Sequence, residues 1–170
     1  MKVLILTGKD FDDLEGMYPY YRLLEENIET IVASNEQDFV CAKYHAKLPV
    51  MTSFEKVDTK QFDGLIIPGG KAPEKLRNME IVTEITKQFF EAEKPIAAIC
   101  HGQQILISAE ILKDKRATCY PGIKKDLQNA GAIYIDKEVV VDKNLITSRR
   151  PEDLPFFMRE FIKVLKGETL

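Results

Sequence analysis

The fold is decided by one stretch of the chain, Pro95-Ile96-Ala97-Ala98-Ile99-Cys100-His101-Gly102-Gln103-Gln104. Its first half is a short apolar run, which is typical of a strand buried on both faces of a parallel sheet. A helix is predicted directly after it, over residues 101–109. One reactive residue, Cys100, lies between the two, and Gly102 leaves room for a sharp turn. This order of strand, nucleophile and helix predicts a nucleophile elbow.

Strands and helices alternate on both sides of this elbow. Strands are predicted over residues 3–7, 29–33, 62–67, 95–99, 116–120, 139–141 and 145–148, with an antiparallel hairpin within 39–51 beside the main sheet. Helices are predicted from Asp12 or Asp13 to about 26, and over 79–91, 101–109, 123–130 and 151–165. Pro19 conflicts with the first helix, which is either bent or begins near Pro19. The alternation predicts one α/β domain over residues 1–170, with a mostly parallel sheet covered on both faces.

The composition excludes several classes of protein. The net charge is −3, from 24 basic and 27 acidic residues, without a long run of either sign, so no specific nucleic-acid binding is expected. No stretch approaches the roughly 18 apolar residues of a membrane helix, and the apolar run at the N-terminus is too short for a signal peptide. We therefore expect no membrane association and a cytoplasmic location.

Cysteine and histidine usage argues against a disulfide scaffold and a metal site. The three cysteines, Cys41, Cys100 and Cys119, are far apart and odd in number, and none forms a C-x-x-C pair. Only two histidines are present. Neither a disulfide framework nor a zinc site is expected.

The position of Cys100 predicts a reactive thiol. In such folds the active crevice lies outside the carboxyl ends of the strands, where segments 8–13, 68–74 and 100–102 should converge. A thiol at a helix N-terminus faces unpaired N–H groups, which lower its pKa from about 8.5 to roughly 3.5–7.5. The same N–H groups could hold an oxyanion, and the loop containing Gly69 and Gly70 could supply another donor.

The proton-transfer partners of Cys100 are left open by the sequence. His101 is either the base or a helix-start residue facing solvent. If it is the base, a carboxylate should orient it, and the candidates are Glu74 on the loop 68–74 and Asp12, Asp13 or Glu15 on the first crossover. Tyr120 is a candidate lining residue of the same pocket.

Several motifs in this order resemble the ThiJ/PfpI family, and specifically its PfpI branch. They span nearly the whole chain and lie at residues 11–15, 18–20, 67–74, 98–102, 120–124 and 148–154. Two departures are Gln103, where many relatives have proline, and the aspartates Asp12 and Asp13, where a glutamate is common. Neither removes a catalytic atom, and both could alter the reach of the pocket.

The resemblance implies a flavodoxin-like three-layer sandwich, similar to class I glutamine amidotransferases, with Cys100 as nucleophile and no cofactor. It implies that Glu74 completes a triad with His101 of the partner subunit, in a homodimer or a hexamer. It also implies that an acid of the first crossover hydrogen-bonds the cysteine. Glu15 fits this role by its spacing to Pro19, and Asp12 is the alternative.

The resemblance and the residues that carry it imply three alternative functions. The first is a cofactor-independent deglycase or glyoxalase III that acts on α-oxoaldehydes such as methylglyoxal, or on their adducts with protein or nucleotide, in stress protection. The second is an intracellular cysteine peptidase using Cys100, His101 and Glu74. The third is a redox-sensing or chaperone-like stress protein in which Cys100 oxidises. Small-carbonyl chemistry is ranked first, because an elbow beneath an oligomeric lid admits peptides poorly.

Overall fold

The computed structural model describes residues 1–168. Within them the strands are β1 (Lys2–Leu6), β2 (Glu29–Ala33), β3 (Phe39–Cys41), β4 (Lys47–Pro49), β5 (Gly64–Ile67), β6 (Ile96–Ile99), β7 (Arg116–Ala117), β8 (Ile133–Tyr134), β9 (Val139–Asp142) and β10 (Leu145–Ser148). The helices are α1 (Asp13–Glu25), α2 (Ala72–Leu76), α3 (Glu80–Glu91), α4 (Gln103–Ser108), α5 (Lys124–Asn129) and α6 (Leu154–Leu165).

The central sheet has six strands in the order β2-β1-β5-β6-β10-β9. All neighbours in it are parallel except β9, which pairs antiparallel with β10. The central strands β5, β6 and β10 are buried throughout, as expected of strands covered on both faces. The predicted α/β fold with a mostly parallel sheet is confirmed.

Helices cover the sheet in two groups. In α6 the buried residues recur at helical spacing, at Leu154, Phe157, Met158, Phe161 and Ile162, and this stripe packs on β6 and β10. Helix α1 packs beside α6, while α2, α3 and α4 pack against one another. The sheet and the two groups of helices form the predicted three-layer sandwich.

Helix α1 begins at the first crossover and not at Pro19. The carboxylate of Asp12 accepts hydrogen bonds from the N–H groups of Leu14 and Glu15, at 3.1 and 3.2 Å, and so caps the helix. Pro19 is buried inside the helix. The alternative in which the helix begins near Pro19 is therefore wrong.

Two details differ from the sequence-based expectation. Glu74 lies in the short helix α2, where a loop was predicted. The predicted strand over 116–120 is reduced to the two residues of β7, which pairs in parallel with the unpredicted β8. Strands of two residues have no periodicity to detect. The predicted antiparallel hairpin is present as the two-stranded sheet of β3 and β4.

Within residues 1–168, every helix is too short or too polar to cross a bilayer.

Candidate active site

Cys100 occupies a strained elbow between β6 and α4. Its φ is +61°, in the left-handed region that non-glycine residues rarely adopt. The turn is tight: a Cβ at Gly102 would lie 2.6 Å from the carbonyl oxygen of Ile67 on the neighbouring strand, so only glycine fits there. A strained backbone held by well-packed strands is typical of functional sites, and here it aims the Cys100 side chain out of the sheet edge.

The imidazole of His101 lies within hydrogen-bond distance of the Cys100 thiol. The distance from Cys100 Sγ to His101 Nδ1 is 3.3 Å. The imidazole stacks on the ring of Tyr120, with centroids 4.7 Å apart and planes inclined by 29°. Tyr120 is itself held beside the elbow, because its N–H donates to the Cys100 carbonyl at 3.3 Å. Cys100 and Tyr120 thus hold the imidazole at the elbow.

Glu15 is the acid of the first crossover that approaches Cys100. It is fully buried, and its Oε2 accepts a hydrogen bond from the Gly69 N–H at 2.8 Å. Its Oε1 has no hydrogen-bond partner within residues 1–168 by distance and angle. Burial, and next the charge of Asp12, raise the pKa of Glu15 to about 8. At neutral pH Glu15 is therefore mostly a neutral acid that can donate a proton.

Burial opposes the thiolate that the elbow position alone predicts. Burial, and next the negative charge of an ionised Glu15, raise the pKa of the Cys100 thiol. The N–H groups of His101 and Gly70 act in the opposite direction by donating towards the sulfur. Only 8% of the residue is exposed, so desolvation is the larger effect. The expectation of a lowered thiol pKa is therefore corrected: Cys100 and Glu15 titrate as a coupled pair.

His101 is suited to take a proton at neutral pH. Its partial burial lowers the pKa of the imidazole, and the charge of Glu74 acts against this shift. The imidazole is therefore predominantly neutral near pH 7, and a neutral imidazole is a proton acceptor. Glu74 is exposed, and no hydrogen bond joins its carboxylate to His101 of the same chain within the described part of the structure.

Most of the predicted site residues line one cavity of about 550 Å³. Its lining consists of Asp12, Glu15, Lys43, Gly70, Lys71, Glu74, Cys100, His101, Gln104, Tyr120, Ile123, Arg150 and Pro151. Gly69 does not line it. A Cβ at Gly69 would overlap the Glu15 carboxylate and lie 2.8 Å from Cys100 Cβ, so this glycine supports Glu15 from beneath. The structure thus places Gly70, and not Gly69, where a substrate can reach it.

Sequence reasoning missed several lining residues, notably Lys43, Gln104 and Arg150. Arg150 follows the end of β10 closely, so the rule that ligands bind at the carboxyl ends of parallel strands could have found it. Lys43 lies on the separate hairpin, and no sequence signal indicates where that hairpin docks.

Residues 1–168 contain no cluster of three or more His, Cys, Asp or Glu side chains placed to hold a metal ion.

The fold and this elbow define a class: flavodoxin-like α/β proteins with a cysteine at the elbow after a central strand. The chain belongs to the DJ-1/PfpI family, whose profile it matches over residues 1–164. This confirms the resemblance read from its motifs. It is 49% identical over 166 residues to the deglycase PH1704 of Pyrococcus horikoshii, an alignment covering 98% of this chain and all of that protein.

Two further proteins extend the comparison. The protein/nucleic acid deglycase 2 of Escherichia coli is 37% identical over 167 residues, covering 96% of this chain and 97% of that one. A crystal structure of a two-domain protein from Anabaena variabilis, with DJ-1/ThiJ/PfpI-like and ferritin-like domains, superposes with a TM-score of 0.94 at 35% identity. The match covers 98% of this chain and 48% of that longer chain. The chain is therefore an enzyme of the DJ-1/PfpI family.

Proposed function

We propose that the protein is a cofactor-independent deglycase or glyoxalase that uses Cys100 to attack α-oxoaldehydes or their early adducts. The observation that carries this proposal is the elbow thiol between a neutral imidazole, 3.3 Å from Sγ, and the buried neutral acid Glu15. The family relatives named deglycases support it. A cavity of about 550 Å³ suits a small molecule better than a folded polypeptide.

The chemistry divides between the two proton-transfer groups. His101 Nδ1 takes the proton of Cys100 Sγ as the sulfur adds to the aldehyde carbon of methylglyoxal. The neutral Glu15 protonates the resulting alkoxide, giving a hemithioacetal. The ionised Glu15 then takes the C1 proton and returns it to C2, while the C1 hydroxyl proton moves to the C2 oxygen. The former aldehyde carbon is oxidised and the ketone reduced, which leaves a lactyl thioester on Cys100. Water then hydrolyses the thioester to lactate and the free thiol, so the sum is methylglyoxal plus water giving lactate.

An adduct substrate follows the same reaction steps once its amine or thiol has been released. The carbon that carried the adduct is transferred to Cys100, and the leaving group takes a proton. Removal of such adducts protects proteins and nucleotides, and stress protection is the physiological role we propose. All three cysteines are free, which agrees with the reducing cytoplasm, the compartment we propose.

The test uses the hemithioacetal of methylglyoxal and N-acetylcysteine, with unstructured casein as a parallel substrate. We expect the wild type to release lactate and free thiol, and Cys100→Ser to lose this activity. Cys41→Ser, which changes a cysteine outside the cavity, is the matched control. Casein cleavage without lactate release would replace the proposal by the peptidase alternative. Activity on neither substrate would favour a redox role for Cys100.

We also propose that the protein works as a homodimer, or as a hexamer built from it, with Glu74 acting on His101 of the partner subunit. Glu74 is exposed on α2 at the cavity, so a second copy can reach it. Helix α1 supports association through an uncovered apolar face, which exposes Leu14, Tyr21 and Leu24 by 59, 60 and 43%. Such a face is costly for a monomer to leave in water.

A further inference from the structure

Three cationic side chains line the cavity without a carboxylate partner. These are Lys43, Lys71 and Arg150, and none forms an ion pair within 4.0 Å in the described part of the chain. The neighbouring Arg149 shows the contrast. Its guanidinium pairs with Asp136 at 2.8 Å and with Asp153 at 2.9 Å. Arg149 is thus held by the protein, whereas Arg150 lines the cavity and forms no ion pair in the described part of the chain.

Each of the three cations stands on a fixed backbone. The Lys43 N–H donates to Phe11 O at 2.9 Å, and Lys71 N–H donates to Asp10 O at 2.9 Å. Arg150 precedes the turn Pro151–Asp153, whose last N–H donates to the Arg150 carbonyl at 3.0 Å. The cations therefore come from three separate segments, each anchored beside the cavity.

The hairpin loop that carries Lys43 is pinned by Asp13. Its carboxylate accepts the N–H of Tyr44 at 2.8 Å and that of Ala46 at 2.9 Å. The Lys43 ammonium lies over the Tyr44 ring, 4.8 Å from its centroid. Two hydrogen bonds to one carboxylate fix this loop against α1. The position of Lys43 at the cavity is therefore set by the loop backbone and not by an ion pair.

The carboxyl groups of the cavity form no ion pair with these cations. Asp12 caps α1, with two N–H donors on one oxygen. Glu15 is fully buried, and its Oε2 accepts the Gly69 N–H at 2.8 Å. Glu74 is exposed and forms no ion pair within 4.0 Å in the described part of the chain. All three cations can therefore contact an anion that enters the cavity.

We propose that Lys43, Lys71 and Arg150 form an anion subsite that binds a carboxylate or phosphate group of the substrate while its carbonyl carbon reaches Cys100. The inference rests on the proposed function and deepens it, since it names the residues that would select an anionic substrate over a neutral one. Charge-assisted hydrogen bonds from Lys and Arg favour such groups over neutral ones.

The first test needs no enzymatic activity. Cys100 is alkylated with iodoacetate, which is anionic, and with iodoacetamide, its neutral analogue, and the rate ratio is divided by the ratio for N-acetylcysteine. We expect a normalised ratio of about 10 or more at low salt, because a charged contact of this kind changes rates by about tenfold. Lys43→Met, Lys71→Met and Arg150→Met should each lower it, and the exposed Lys56→Met should not. A normalised ratio near one in the wild type would overturn the subsite.

The second test compares turnover of matched substrates. The hemithioacetal of N-acetylcysteine is set against that of its uncharged amide, and the methylglyoxal adduct of guanosine monophosphate against that of guanosine. A kcat/KM ratio above about tenfold for the anionic member, reduced in Arg150→Met, supports the subsite, and the two pairs distinguish carboxylate from phosphate. Equal turnover of charged and neutral members overturns the subsite while leaving the proposed function intact. If no substrate turns over, the proposed function fails and the alkylation ratio alone decides the subsite.

Discussion

At the scale of single residues, Glu15 controls the ionisation of the site. Its carboxyl is buried between the Gly69 N–H and Cys100, and its pKa lies near 8, within reach of physiological pH. Below that pH the neutral acid can protonate a developing alkoxide. Above it, the ionised form repels a thiolate and raises the pKa of Cys100. The reactive form of the pair is therefore the one with a neutral Glu15, which lets the thiol pass its proton to His101 as the sulfur attacks.

Glu15 should also leave a signature in the pH dependence of stability. Its pKa is raised from 4.5 to about 8 on folding, so the folded state holds this proton more tightly than the unfolded chain. Stability should consequently fall as pH rises from 4.5 to 8, by about 1.4 kcal/mol per pH unit, and level off above 8. Urea unfolding of wild type and Glu15→Gln at pH 5 and 8 measures this slope.

We expect the difference in unfolding free energy between Glu15→Gln and wild type to grow in favour of the variant from pH 5 to pH 8. The exposed Glu91→Gln serves as the control and should run parallel to wild type. Parallel curves for Glu15→Gln would mean that Glu15 is ionised in the folded protein at pH 5, contrary to the assigned role as acid.

At the scale of elements, Gln103 ties the elbow to the strands around it. Its side chain is fully buried, and Nε2 lies 3.0, 2.9 and 2.8 Å from the carbonyl oxygens of Ala98, Thr118 and Ser148. These carbonyls belong to β6, to the segment after β7 and to the end of β10. Gln103 thus joins three neighbouring segments beneath Cys100.

Replacing Gln103 by methionine should therefore destabilise the fold. Methionine keeps the approximate size but offers no donor, so buried carbonyl oxygens lose their partner, at a cost of about 2–3 kcal/mol. Chemical unfolding gives this number, and Gln128→Met on the exposed side of α5 is the matched control. A loss no greater than that of the control would show that the three contacts contribute nothing to stability.

Elements with continuous apolar runs could be predicted from the sequence, and elements of only a few residues could not. Strands β1 and β6 match their predicted ranges within a residue, because buried parallel strands are rich in consecutive aliphatic residues. The two-residue strands β7 and β8 carry no such pattern. Helix α2 escaped prediction because its five residues are too few for a helical period.

The site was predictable where motif and topology agree. Cys100 at a strand-to-helix junction required only the sequence, and the convergence of three strand-end segments followed from the sheet order. Which of Asp12 and Glu15 approaches Cys100 could be decided only once the first residue of α1 was known. Asp12 caps the helix, and Glu15, about one turn later, is buried. The direction in which the pKa of Cys100 is shifted depends on how deeply the thiol is buried, and no local motif indicates burial.

At the scale of the whole molecule, the site is proposed to be shared between subunits. In that arrangement Cys100 and His101 come from one chain and Glu74 from its partner. The cavity of a single chain already contains its own Glu74. Mixed oligomers can therefore show whether the functional Glu74 comes from the same chain as Cys100 or from the partner chain.

Mixing two inactive variants should restore activity if Glu74 acts across the interface. In a mixed dimer of Cys100→Ser and Glu74→Gln, one of the two sites combines an intact Cys100 with an intact partner Glu74. Random reassembly of equal amounts should recover about a quarter of wild-type sites. Recovery is measured after dissociation and reassembly, and each variant reassembled alone is the control. No recovery above these controls would place the functional Glu74 in the same chain as Cys100.

Conversion of an α-oxoaldehyde by Cys100 without any cofactor can be followed directly by NMR. Wild type and Cys100→Ser are each incubated with ¹³C-labelled methylglyoxal, without glutathione or any other thiol. Wild type should form lactate steadily, and Cys100→Ser should form none above the buffer. Equal lactate formation by both proteins, or none by the wild type with this substrate and with its adducts, would show that Cys100 does not carry out this reaction.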